Sequence, residues 1–327
     1  MSRISIAMCT YNGGRFLPEQ LASIAAQQRL PDEMVVCDDG STDTTLEILE
    51  KFSRTVPFTV RIVRNPVNLG STKNFEQAIS LCTGDLIALC DQDDVWLPEK
   101  LAIQAEFFEH DPEVGGFFSN AYLIDENSNH LDKTLWQGVS FRPVDRLRWR
   151  TDHIDTVLLR KNVVTGATLM IRAETRPAIK PIPAGWVHDG WIAWMLAIHS
   201  VLIFQEEKLI KYRLHASQQI GVADIAEKGF KGLFVRLRHA ASVEPAQHSA
   251  GARQLVDLER HIKAHNGKTE ESCLLRLQEK IRFFEQRGHL ERGRLFRAAR
   301  IITNVRKYHW YECGWKVFAR DILLVFI

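Results

Sequence analysis

A chain of 327 residues is long enough to bury a full core and make one large domain or two smaller ones. Its 45% hydrophobic and 25% charged residues are those of an ordinary globular protein, which excludes a disordered or low-complexity polymer. The formal net charge of +2 says little globally and no nucleic-acid partner is expected, but the acids that look functional lie in the first two thirds while Arg and Lys thicken toward the carboxyl end.

Ile4, Ile6 and Met8 alternate with smaller residues as a first strand. The turn Thr10-Tyr11-Asn12-Gly13-Gly14 follows, then a helix with Leu17, Leu21 and Ile24 at helical spacing and Pro18 in its first turn. The glycines do not form G-x-G-x-x-G, so no dinucleotide fingerprint is present. A second strand, Met34 to Cys37, stops at Asp38-Asp39-Gly40-Ser41, with Ser41 or Thr42 expected to cap the next helix. A third strand covers Thr59 to Val63, and a helix burying Phe75, Ala78 and Ile79 leads to the apolar run Leu86 to Cys90.

That run lacks polar alternation, as suits a strand buried on both faces, and it ends at Asp91, Asp93 and Asp94. Two carboxylates so spaced suit a shared divalent cation at the carboxyl end of a strand, where open α/β sheets place ligands. The competing reading is a solvated turn with Asp94 as a helix cap. Repeated β-then-α order predicts a mostly parallel, Rossmann-like sheet.

A helix from Pro98 to Glu109 and a strand from Gly115 to Ile124 come next, and Asp125 to Arg150 reads as a long polar excursion. A strand through Arg172 follows. Past three prolines, His188-Asp189-Gly190-Trp191 opens an amphipathic helix, and strands at Val201 to Phe204 and Leu209 to Tyr212 end at Arg213-Leu214-His215. Beyond Gly221 the spacing is helical, around 230–241, 252–264, 273–284, 295–305 and 310–326, which places a domain boundary between 1–221 and 222–327. The six cysteines form no C-x-x-C pair and are expected as buried free thiols in a reducing compartment. No signal peptide or spanning segment is read, so the chain is expected in the cytoplasm.

The motifs TYNGGRFLPEQLASIAAQ, VVCDDGSTDTT, NLGSTKNF, ALCDQDDVWLPEKL, TGATLMIR, HDGW and YRLH, in this order over roughly residues 3 to 221, resemble the family 2 glycosyltransferases, most of all bacterial rhamnosyltransferase-like members. The resemblance implies a GT-A fold with a C-terminal helical extension. It also implies inverting transfer from a dTDP- or UDP-sugar to a surface glycan or lipid-linked acceptor, with Mn²⁺ or Mg²⁺. It makes Asp91 and Asp93 metal ligands and Asp91 alternatively a ribose contact. His215 becomes a third ligand or a diphosphate contact, Asp39 the acceptor for a pyrimidine N3–H, and Asp189 the catalytic base. Thr10, Tyr11, Asn12, Asn68, Lys73 and Gln92 would line the nucleotide-sugar site. Ser217-Gln218-Gln219 stand where such members commonly carry Asn after the last motif, which leaves the acceptor side open. A non-catalytic cation- and glycan-binding module is the alternative. The basic and aromatic end from Arg292 to Ile327 suits either an anionic inner-membrane surface or a homodimer contact.

Overall fold

The structure is a computed structural model that describes residues 1–151, 153–216, 250–264, 271–288, 301–305 and 307. It forms two compact units, Met1–Arg142 with Val163–Ala223, and Pro143–Asn162 with Asp224–Ile327.

The first unit is built on one sheet. Its strands are β1 (Ile4–Thr10), β2 (Glu33–Asp38), β3 (Thr59–Arg64), β4 (Leu86–Cys90), β5 (Val95–Trp96), β6 (Val114–Ile124), β7 (His130–Thr134), β8 (Met170–Arg172) and β9 (Val201–Arg213). Their order is β3-β2-β1-β4-β8-β6-β9-β5, with β7 on β6. Helices α1 (Leu17–Ala25), α2 (Thr45–Ser53) and α3 (Ser71–Leu81) connect the first four strands, which pair in parallel. β1 and β4 are buried at every position, as their apolar runs demand, whereas the edge strand β3 alternates between exposed and half-buried.

The expectation of a mostly parallel sheet is corrected beyond β4, because β8 runs antiparallel between β4 and β6. An apolar run reports burial and carries no information on direction. β9 is likewise one strand where two were expected: Ser119 pairs with Gln205 and Asn120 with Lys208, so Glu206 and Glu207 form a bulge that mimics a break. α2 starts at Thr45, so neither Ser41 nor Thr42 caps it, and Ser41 Oγ donates instead to Asp38. The excursion after β6 is also structured. It holds β7, α5 (Leu135–Gly138) with a Thr134–Gln137 capping box, and a cluster in which Trp136 packs on Phe118, Phe141 and Phe204. The remaining helices of this unit are α4 (Lys100–His110), α8 (Arg176–Ile179) and α9 (His188–His199).

The second unit contains α6 (Pro143–Arg150), α7 (Ile154–Leu158), a helix over 250–264 (α10) and α11 (Glu271–Gly288). Leu258, Leu277 and Phe283 are fully buried in it, and the buried Asp145 carboxylate accepts from Arg160 at 2.7 Å. The helices expected around 230–241 and 310–326, and with them the membrane or dimer contact, lie outside the described residues. Among those described, no helix is long and apolar enough to cross a membrane, and Cys9, Cys37, Cys82, Cys90 and Cys273 are buried free thiols.

Candidate active site

β1, β2 and β4 lie side by side with Thr10 opposite Asp38 and Met8 opposite Cys90, so the loops after all three strands leave one edge of the sheet. Asp38 is framework. Its carboxylate accepts from Thr10 Oγ1 (2.7 Å), Ser41 Oγ (2.6 Å), Ser41 N (2.9 Å) and Gly40 N (3.2 Å). The Thr10 hydroxyl, expected at the nucleotide, is thereby committed. Asn12, at φ 48°, accepts from Thr42 N through Oδ1, and its own N–H donates to Ser41 Oγ. Gln92 pairs with the Tyr11 backbone, accepting from its N–H at 2.9 Å and donating to its carbonyl at 3.1 Å, which staples the first loop to the acidic one. Thr10, Asn12 and Gln92 therefore shape the crevice with side chains already in use, while Tyr11 is half exposed along it.

Asp39 occupies a different environment from its neighbour. At 3% exposure, its Oδ1 accepts from Asn65 Nδ2 (2.8 Å) and Leu69 N (2.7 Å), and its Oδ2 from Gly70 N (2.9 Å). Asn68 Nδ2 donates to the Asp39 carbonyl. Gly70, at φ 76°, makes the turn that aims two successive N–H groups at this carboxylate. Lys73, which the resemblance puts in the nucleotide-sugar site, donates its ammonium to Glu76 Oε2 (2.7 Å) and to the Ile182 carbonyl (2.8 Å).

The acidic loop after β4 is anchored by a residue the motif reading did not single out. Arg213, 1% exposed at the end of β9, donates to the Asp93 carbonyl (2.7 Å), Glu19 Oε2 (2.5 Å), Ser128 Oγ (2.8 Å) and the Asp125 carbonyl (3.3 Å), and its guanidinium lies over Phe16. Its backbone N–H donates to Asp94 Oδ1 at 2.9 Å. An arginine after the apolar Leu209 and Ile210 at the end of the strand was the available signal. Asp94 is fully buried and faces inward, so it is no helix cap. Burial, then the Asp93 and Asp91 charges, push its carboxyl well up, and Lys100 beneath is lowered to about 7 by burial.

Asp91 receives no side-chain hydrogen bond among the described residues. Desolvation first, then the Asp93 and Asp189 carboxylates, push it up to about 8. The phenol of Tyr212, buried behind, is raised by burial and by the same acids together with Asp94. A carboxylate raised by burial and by neighbouring acids, with no side-chain donor of its own among the described residues, suits a divalent cation, which substrate phosphates and water would complete. A three-ligand cage is not what the residues form: among those described, no three His, Cys, Asp or Glu side chains converge as a metal site. His215 instead places Nε2 2.8 Å from Asp93 Oδ2 and its ring on Phe16, so it orients Asp93.

Asp189 stands in the first turn of α9, whose N-cap is Val187, and accepts from Gly166 N at 3.3 Å. His188 beside it is buried and stacks on Phe75 at 4.1 Å, with neither ring nitrogen hydrogen-bonded. Burial lowers its pKa and keeps it neutral. Asp93 and Asp189 are thus close enough for their charges to act on Asp91, and Asp39 and Asp91 both act on the buried Cys9 of β1, the strand between theirs.

Residues 5–167 match the family model Glycosyl transferase family 2. This stretch is a family 2 glycosyltransferase domain. An uncharacterized glycosyltransferase of Nostoc sp. is similar to this chain at 27% identity over 222 residues, 66% of each protein. The chain spans 59% of the length of uncharacterized mycobacterial relatives that it matches at 28% identity. Among solved structures, S. aureus TarS 1-349 with UDP-GlcNAc has a TM-score of 0.57 at 17% identity, covering 94% of this chain and 81% of that one. The mannosyltransferase PcManGT of Pyrobaculum calidifontis with GDP-Man and Mn²⁺ has 0.53 at 16%, covering 99% and 84%. The glycosyltransferase fold is GT-A, a mixed sheet flanked by helices with a helical C-terminal part.

Proposed function

We propose that the protein is a metal-dependent inverting glycosyltransferase that moves a sugar from a pyrimidine nucleoside diphosphate to a hydroxyl of a glycan or lipid-linked glycan. The observation that carries this reading is the convergence of Asp91, Asp93 and Asp189 beside the Asp39 loop, with Asp91 raised by its neighbours. Asp91 and Asp93 would hold Mn²⁺ or Mg²⁺, which neutralises the diphosphate as it leaves. Asp189 accepts the proton of the acceptor hydroxyl, whose oxygen bonds to the anomeric carbon as the carbon–phosphate oxygen bond breaks.

Lone-pair counting supports a pyrimidine as the donor's nucleobase. A carboxylate has about four acceptor positions, and Asp39 already uses three, two on Oδ1 and one on Oδ2. One position matches the single imide N–H of uracil or thymine, whereas guanine presents a pair of donors. Rhamnose, the sugar the resemblance favours, fits a dTDP donor. The structural neighbours' nucleotide sugars and Mn²⁺ lend the reading support.

Calorimetry with UDP, dTDP and GDP, each with Mn²⁺, tests the donor reading: the pyrimidine nucleotides are expected to bind at least roughly tenfold tighter than GDP, and equal affinity refutes it. Asp189→Asn tests the base, with donor binding retained and transfer lowered at least about a hundredfold. A variant transferring at the wild-type rate removes Asp189 from the mechanism, and a wild-type chain that binds nucleotide without transfer favours the binding-module alternative.

A further inference from the structure

The segment that delivers Asp189 runs from Pro181 to His188, and it is held from one side by α3. Three direct hydrogen bonds make the hold. Thr72 Oγ1 donates to the Trp186 carbonyl (3.0 Å), Lys73 Nζ donates to the Ile182 carbonyl (2.8 Å), and Ile182 N donates to Glu76 Oε2 (2.9 Å). Lys73 and Glu76 also bond each other at 2.7 Å, closing a ring of contacts around the Ile182 peptide. The Phe75 ring, from the same helix, lies nearly parallel to His188, the residue next to Asp189.

This is a strong hold for a loop of this kind. Gly185 has φ 88°, in a turn where Trp186 N donates to the Pro183 carbonyl, and the Ile182 side chain is buried. An ion pair between Lys73 and Glu76 alone, with side chains 44% and 17% exposed, would contribute little. The backbone bonds change its role, because each charged group fixes a peptide and the two act on opposite sides of one residue.

We infer that Lys73 and Glu76 are positioning residues, which act through Ile182 to fix where Asp189 stands in the crevice. The inference rests on the reading of Asp189 as the base. It assigns Lys73 no contact with the donor, so nucleotide affinity and loop order separate the two roles open to it.

The experiment compares the full chain with Lys73→Met, Glu76→Leu and Lys73→Arg, by hydrogen exchange over 182–189 and calorimetry with UDP and Mn²⁺. Exchange over 182–189 is expected to quicken at least tenfold in Lys73→Met and in Glu76→Leu, which keep no donor or acceptor for Ile182, with β1 and β4 unchanged. Lys73→Arg, which can still donate to the carbonyl, should restore slow exchange. UDP affinity should stay within twofold in all three. Unchanged exchange in Lys73→Met and Glu76→Leu overturns the inference, as does a general rise in exchange that includes β1 and β4. A tenfold loss of UDP affinity in Lys73→Met overturns it too, by making Lys73 a phosphate ligand. Failure of the wild-type chain to bind UDP, or full transfer by Asp189→Asn, would refute the functional reading, whereas the exchange result judges the clamp.

Discussion

Arg213→Met probes how the acidic loop is held. The guanidinium at 1% exposure donates to three neutral acceptors (the Asp93 and Asp125 carbonyls and Ser128 Oγ) and to the Glu19 carboxylate. Neutral bonds are worth about 1 kcal/mol each and a bond to a charged group about 2. The Glu19 side chain is 47% exposed, so water takes over much of that last contribution when the arginine is gone. The Asp93 carbonyl, under the loop, is where the loss is felt. Met refills part of the space over Phe16, so the net loss comes to about 3 kcal/mol, or roughly 10 °C in melting temperature. Arg213→Lys keeps the charge but not the fork, and should lose about half as much. Thermal and urea unfolding followed by tryptophan fluorescence measure both. Calorimetry adds the functional readout, a weaker Mn²⁺-dependent UDP affinity in Arg213→Met. A loss below about 1 kcal/mol with unchanged affinity would show that the loop holds itself and that this accounting is wrong.

Two further substitutions test buried chemistry elsewhere in the unit. Lys100 has its amine lowered from 10.5 to about 7, so between those values the folded chain binds fewer protons than the unfolded one and stability rises with pH, by up to about 1 kcal/mol per pH unit. Lys100→Met should flatten this rise in melting curves from pH 7 to 10, and parallel curves for the two proteins would contradict the burial argument. Gly166→Ala would set a Cβ 2.6 Å from His188 Nε2, in a ring wedged against Phe75. It should cost about 1–3 kcal/mol in urea unfolding, and an unchanged midpoint would mean that the imidazole moves freely.

The parts of this chain that were legible in its sequence are those set by neighbours in sequence. Leu86 to Cys90 read as a buried strand because five apolar residues in a row fit little else of that length, and it is observed at those bounds. Pro18 marked the start of α1, and the acids ending β2 and β4 marked the crevice. The parts that were not legible depend on contacts far apart in the chain. Arg213 reaches Glu19 across 194 positions, Lys73 reaches Ile182 across 109, and β8 enters between β4 and β6 only after the long stretch that β7 and α5 occupy. No periodicity encodes such pairings, so nothing local pointed Lys73 to Ile182, and β9 read as two strands.

Asp38 and Asp39 show the same division within two residues. Both are acids ending an apolar strand, and nothing local tells them apart. Asp38 is closed by four donors from the first two loops, whereas Asp39 turns to the Asn65–Gly70 turn and keeps one acceptor position. The strand alternation behind this is simple. Asp38 is the last residue of β2 and Asp39 the first beyond it, and side chains of successive residues leave opposite faces of a strand, so the two carboxylates meet different donors. A sequence can therefore state that a pair of carboxylates stands at a crevice. Which of them is left to meet a ligand depends on the donors each face finds, and those arrive from loops that the pair itself does not specify.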